Sequence, residues 1–229
     1  MRFISFLLVI LSSTNIYSQS HEIGEGLQNL TSDSAYTSGT WIQNVKNSST
    51  DGSVYLFEDW KTYSSIVTNE GKRFKIVDLN YDTKADQFVV KISTDSIYMF
   101  DKKFVDEAVI NNREFKKYVD PETNTFKYYE VLSNGDDFAL LRQDLKILRE
   151  GDLNPLTQTK RPDKYLNKYK YFVVDNANAQ IREIALSKKN ILNLFGKKSE
   201  DVKKYMSKNK LSVKSEKDLK KIFYYYRSI

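Results

Sequence analysis

The chain has 229 residues, with 36 Lys and Arg, 30 Asp and Glu, one His, no Cys and a formal charge of +6. The missing Cys excludes thiol nucleophiles, thiolate zinc sites, iron–sulfur clusters and disulfides, and the single His excludes a multi-histidine metal site. A chain of this length buries enough surface to fold without such staples, and an aromatic content of 14% favours β structure over disorder.

Residues 1–18 read as a signal peptide. Arg2 precedes the run Phe3–Leu11, apolar except for Ser5, and small polar residues lead to a cut after Ser18. That run is far shorter than the ~20 residues of a spanning helix, and no later stretch is long enough. The expectation is an exported protein of the periplasm, the outer-membrane periphery or the medium. Its mature chain has no transmembrane helix and, lacking Cys, no lipid anchor. Two glycosylation triplets, at Asn29 and Asn47, lie in an Asn/Ser-rich stretch where such triplets arise by chance.

Residues 19–52 are a polar, loosely ordered lead-in with one strand at Thr40–Val45. Residues 53–186 form a β-rich domain. Strands are expected at Val54–Trp60, Arg73–Leu79, Gln87–Ser93, Ser96–Phe100, Val109–Val119, Thr125–Leu132, Phe138–Leu148, Tyr169–Val174 and Gln180–Leu186. In the second, Phe74 and Ile76 share one face. Thr94-Asp95 is a hairpin turn, and Asp120-Pro121-Glu122-Thr123-Asn124 is the firmest reversal, because Pro fixes φ and stops pairing. Reversals this short imply antiparallel neighbours, and helical crossovers are missing. The fold class is therefore mainly β (α+β overall): an antiparallel meander of about ten strands, forming an open barrel or sandwich.

Residues 187–229 change period and form a helical tail that packs on the β domain. Ile191, Leu192, Leu194 and Phe195 make a short helix ended by Gly196. Ser199 reads as an N-cap before Glu200 and Asp201. Ser215 opens a capping box, and Leu219, Ile222, Phe223 and Tyr226 follow at i, i+3, i+4 and i+7.

Charge is divided unevenly. Residues 151–229 hold 19 Lys and Arg against 8 Asp and Glu, a net +11, and residues 1–150 are at −5. The cations come in doublets: Lys197-Lys198, Lys203-Lys204 and Lys220-Lys221 are the candidate contacts to an anionic partner. Lys is a hydrated point charge, so diffuse attraction to an anionic surface or glycan fits it better than base reading; no nucleic-acid partner is expected.

Catalytic signals are few. His21 lies just past the expected cut, in the polar lead-in. Asp78-Leu-Asn80-Tyr-Asp82 with Asp86 matches a calcium loop at four positions, but Thr83 and Val89 stand where Gly and Glu are needed. Glu58-Asp59 and Asp136-Asp137 are adjacent carboxylates, whereas glycoside cleavage needs two carboxyl groups facing across a cleft. Trp60, beside the first pair, is the candidate ring for stacking on a sugar, with core packing as its ordinary role. Gly24 and Gly26 lack the third Gly and the preceding strand of a dinucleotide loop. In Tyr128-Tyr129 and Tyr224-Tyr225-Tyr226, alternate rings should face core and surface. No cofactor and no metal are expected.

Several strings have a family character: Gly52-Ser-Val-Tyr-Leu-Phe-Glu-Asp-Trp60, Leu79-Asn-Tyr-Asp82, Tyr129-Glu-Val-Leu-Ser-Asn-Gly135 and the tail segments Lys188–Phe195, Val202–Met206 and Asp218–Phe223. From about Gly52 to its end, the chain resembles a group of uncharacterised exported proteins of Bacteroidota. The resemblance implies export and the extent of the domain, and carries no activity. The expected function is non-enzymatic binding or structure in the envelope or outside the cell, through an anionic, glycan or protein partner. The alternatives are a carboxylate-dependent hydrolase of envelope glycans and a subunit docking into an envelope complex through its C-terminal helices.

Overall fold

The structure is a computed structural model that describes residues 39–43 and 50–229. The signal-peptide reading, His21, both glycosylation triplets and Gly24 and Gly26 lie outside the described residues. The order of strands is β1 (Gly39–Gln43), β2 (Thr50–Asp51), β3 (Tyr63–Thr68), β4 (Arg73–Val77), β5 (Leu79–Asp82), β6 (Gln87–Lys91), β7 (Ser96–Phe100), β8 (Val105–Ile110), β9 (Arg113–Val119), β10 (Phe126–Asn134), β11 (Phe138–Arg149), β12 (Asp163–Asp175) and β13 (Ile181–Glu183). Helices α1 (Lys188–Leu194), α2 (Ser199–Lys208) and α3 (Glu216–Ser228) follow. No described helix is long and apolar enough to cross a membrane.

The fold is mainly β and antiparallel. A four-stranded sheet has the order β1-β7-β6-β5, and a nine-stranded one the order β13-β12-β11-β10-β9-β8-β3-β4, with β2 beside β12 in the one parallel pair among the described residues. From β8 to β13 the large sheet is an uninterrupted meander. Its two ends, β13 and β4, do not pair, so the sheet stays open.

Differences from the sequence reading have local causes. Val54–Trp60 forms no ladder; it follows β5 irregularly through Leu56 N–H to Tyr81 C=O and the side chain of Asn80, which bonds both the Phe57 N–H and the Phe57 C=O. The expected strand 73–79 breaks at Asp78, whose φ of 56° turns the chain into the second sheet. The expected strand 109–119 is really the turn of a hairpin: Asn111 and Asn112 have φ of 49° and 64°, the pair of positive values a type I′ turn requires. β12 starts six residues earlier than expected, so β11 and β12 form a long arm. Ser199 is already helical, and the N-cap position falls on Lys198, which makes no side-chain cap. Ser187 and Ser215 do cap α1 and α3, and Gly196 takes φ 50° after α1.

Two cores lie along one face of the large sheet. At one end the small sheet covers it, burying Tyr81, Phe88, Tyr98 and Phe100 against Ile66, Val105, Phe115 and Tyr128. At the other end the three helices cover it, burying Ile191, Phe195, Val202, Leu219, Ile222 and Phe223 against Leu132, Phe138, Leu140 and Val173. The tail is thus part of a shared core. On the opposite face Tyr129, Leu141 and Phe172 are buried in a third cluster. Tyr128 and Tyr129 are both buried, where one was expected at the surface: Tyr128 faces the small sheet, and on the other face Tyr129 is enclosed by the neighbouring side chains of its own sheet, edge-on to Phe172 and Tyr118, with its hydroxyl bonded to Asp120.

Candidate functional site

Between the two cores, the same sheet face carries charge. Arg113 on β9, Glu130 on β10 and Arg142 and Asp144 on β11 occupy positions that alternation assigns to the interior, continuing the rows of Phe115, Tyr128 and Leu140. Arg113 Nη2 donates to Glu130 Oε2 at 2.7 Å and to Asp144 Oδ2 at 2.8 Å. Arg142 Nη2 lies 2.6 Å from Glu130 Oε2 and 3.2 Å from Asp144 Oδ1, and its Nε donates to Asp144 Oδ2 at 3.3 Å. Arg142 Nη1 pairs with Glu216, in the first turn of α3. One guanidinium therefore ties β10 and β11 to the last helix.

The surroundings tune these groups. Burial pushes the Asp144 carboxyl up, Arg113 and Arg142 pull it down, Glu130 pushes it up again, and the balance is upward. Burial would lower the Arg113 pKa, but Asp144 and Glu130 outweigh it and raise it. The Arg113 guanidinium lies 5.2 Å from the Phe57 ring and 5.3 Å from Phe115, and these aromatic contacts offset its buried, unbonded Nε–H. Arg142 lies 4.9 Å over Tyr169. Beside them is a cavity of about 80 Å³ bordered by Thr83, Lys146, Asn167 and Tyr169. It is far smaller than the roughly 300–1,000 Å³ of ordinary ligand clefts.

The sequence reading did not find this cluster. The available signal was Leu140-x-Arg142-x-Asp144, two charges on the inward positions of an apolar strand. The carboxylate pairs it did single out are elsewhere. Glu58 and Asp59 are exposed, and Asp59 accepts the Lys61 N–H in a local turn. Asp136 and Asp137 border a groove of about 550 Å³ between the β10–β11 turn, the β12–β13 turn and α1. Asp137 there accepts the Tyr226 O–H at 2.6 Å; burial, then that carboxylate, push the Tyr226 phenol up to about 12. The residues of the calcium-like string fold as strand and turn: Asn80 braces Phe57, Asp82 accepts the Lys84 and Ala85 N–H groups, and Asp86 accepts the Tyr81 O–H and the Tyr128 N–H.

Trp60 is half-buried outside the main cores, edge-on to Tyr55 at 4.7 Å with the Lys91 ammonium 6.0 Å above its ring. It sits at the edge of the small sheet, away from the charged cluster. The lysines are all in the helical layer. Lys203 and Lys204 pair with Glu200 and Asp201 one turn back, and Lys198 lies 4.9 Å over the Tyr226 ring. Lys197, Lys220 and Lys221 are exposed. On α3, Lys217, Lys220, Lys221 and Tyr224 recur at i, i+3, i+4 and i+7, opposite the buried stripe of Leu219, Ile222, Phe223 and Tyr226. In the tyrosine run Tyr226 is buried, Tyr224 is exposed, and Tyr225 stacks on Tyr205 at 4.0 Å.

No protein-family model matches the chain, and no curated protein or solved structure matches it either.

Proposed function

We propose that this is an exported, non-enzymatic binding or structural protein of the envelope or medium, which holds an anionic partner on the lysine-covered outer face of α2 and α3. One observation carries the reading. Residues 187–229 contain twelve Lys and only four carboxylates. All four are engaged: Glu200 and Asp201 with Lys203 and Lys204, Glu216 with Arg142, and Asp218 with the Ser212 N–H at 3.1 Å. The remaining positive charge faces outward on helices whose apolar sides are buried in the core. Lysines on a rigid scaffold attract a polyanion such as an acidic glycan or an anionic envelope surface, with a strong salt dependence.

The other readings find less support. Docking into a complex through the apolar faces of the helices competes with the core those faces already fill. For glycan hydrolysis, the best-placed carboxylates are Glu130 and Asp144, both bonded to guanidinium groups beside a cavity too small for a sugar chain. Immobilised heparin, a sulfated polysaccharide, tests the proposal. The variant Lys217→Gln/Lys220→Gln/Lys221→Gln should elute at clearly lower salt with an unchanged melting temperature. Elution at the same salt as the parent protein would overturn the reading. Deleting the tail is the wrong experiment, since it uncovers Leu140, Val173 and Phe138.

A further inference from the structure

The apolar surface of the described residues is concentrated in one place. Of thirteen exposed large hydrophobic side chains, six lie between residues 147 and 169: Ile147, Leu148, Leu153, Leu156, Leu166 and Tyr169. They belong to the arm formed by β11 and β12. β10 stops pairing with β11 at Arg142, and β13 covers only Phe172–Val174 of β12. Beyond these points β11 pairs with β12 from Gln143↔Lys170 to Arg149↔Lys164, and among the described residues only β2 adds to it, at Asp163 and Lys164. Seven paired residues at about 3.3 Å each give an arm of roughly 23 Å.

The arm is apolar on both sides. Ile147 pairs with Leu166 on one face, while Leu148 and Tyr169, in the row of Asp144, are on the other. At its end the loop 150–162 presents Leu153 and Leu156, the latter 93% exposed. Cations surround this surface. Arg149 and Lys160 have carboxylate neighbours in Asp152 and Asp163, whereas Lys146, Arg161, Lys164 and Lys168 have none among the described residues. A protein partner docking on one face leaves the other in water. A lipid interface covers both, and it matches long cationic stems that keep their heads at the phosphates while leucines go deeper.

We propose that the β11–β12 arm dips its Leu153–Leu156 tip into the interface of an anionic bilayer. This surface is separate from the lysine face of the helices, and each can fail alone. The chain has no Cys, so Leu156→Cys and Tyr63→Cys each take a single environment-sensitive fluorophore; Tyr63, 89% exposed on β3, is the control. With vesicles of phosphatidylglycerol and phosphatidylcholine, the dye at 156 should brighten several-fold and shift to the blue, while the dye at 63 stays unchanged. Pure phosphatidylcholine should give much less. The variant Leu153→Asp/Leu156→Asp should lower co-sedimentation with anionic vesicles about tenfold. The proposal is overturned if vesicles bind while the dye at 156 is silent, since the helical lysines alone would then account for binding. It is equally overturned if no vesicles bind, or if the dye at 156 responds to protein concentration without lipid, which would assign the arm to a second copy of the chain.

Discussion

Replacing Arg142 by Met removes the one side chain that touches every other member of the charged cluster except Arg113. Arg142 is 7% exposed, Glu130 3% and Asp144 5%, so the carboxylates left behind cannot recover hydration. Arg113 would still bond Glu130 and Asp144 through Nη2, but one guanidinium would then face two buried carboxylates. Breaking a buried ion pair from one side costs about 3–5 kcal/mol, against about 0–1 kcal/mol for an exposed pair. Glu216, 37% exposed, belongs nearer the second class, so Glu216→Gln should cost about 1 kcal/mol or less. Urea unfolding at neutral pH measures both, and the Arg142→Met loss corresponds to a fall in melting temperature of roughly 6–20 °C. The compensated variant Arg142→Met/Glu130→Leu should regain a large part of the loss, because the desolvated carboxylate goes with its partner. A loss below about 1 kcal/mol for Arg142→Met, or equal losses for Arg142→Met and Glu216→Gln, would refute the idea that burial makes this cluster matter.

Two further outcomes follow from turns. Burial would raise the Asp120 carboxyl, but Tyr129 O–H, the Thr123 N–H and hydroxyl and the Lys127 ammonium hold it well below its ordinary 3.8. A carboxyl lowered in the folded state stabilises fully above its unfolded pKa and loses that contribution as pH falls through the folded value. Urea midpoints between about pH 5 and about pH 2.5 should therefore fall less steeply in Asp120→Asn than in the parent protein, and parallel curves would sink the assignment. In the β8–β9 turn, Asn112→Gly relieves a left-handed non-glycine residue and should add about 0.5 kcal/mol of stability in the same assay. A loss of that size would mean the turn is not type I′.

Much of the meander could be read from the chain because hairpins are local. Thr94-Asp95 and Asp120–Asn124 sit where the structure reverses, and period-two alternation put Phe74 and Ile76 on one face against Lys75 and Val77; the structure turns the first face inward. What failed was punctuation by residues other than Gly and Pro. Asp78 and the Asn111-Asn112 pair reverse or redirect the chain through positive φ, and in a β-rich string they look like ordinary polar positions. The charged cluster was hidden for a different reason. Arg113, Glu130 and Arg142 are far apart in sequence, and only the register Glu130↔Arg142 brings opposite charges face to face. Asp86 is the same case: its acceptors serve Tyr81 close by and Tyr128 from a different sheet.

The division of charge takes on a structural meaning once these contacts are known. In the acidic part, carboxylates meet their counterions within the fold: Asp86 with Lys102, Asp106 with Lys117, Glu107 and Glu114 with Lys116, Asp120 with Lys127, and Glu130 and Asp144 with two arginines. Among the described residues, attraction between the acidic and basic parts shows in Lys170 of β12 with Glu122 at 2.9 Å, whereas the ion pair that joins the sheet to the helical tail, Arg142 with Glu216, has its sign reversed, with the cation on the sheet and the anion on the helix. The twelve lysines of the tail are therefore not there to hold it onto the sheet. Apolar packing does that, through Ile191, Phe195, Ile222 and Phe223. Charge that the fold does not use is displayed to solvent, and a helical layer built this way keeps its shape when its lysines are exchanged for glutamines, so binding can be separated from folding by experiment.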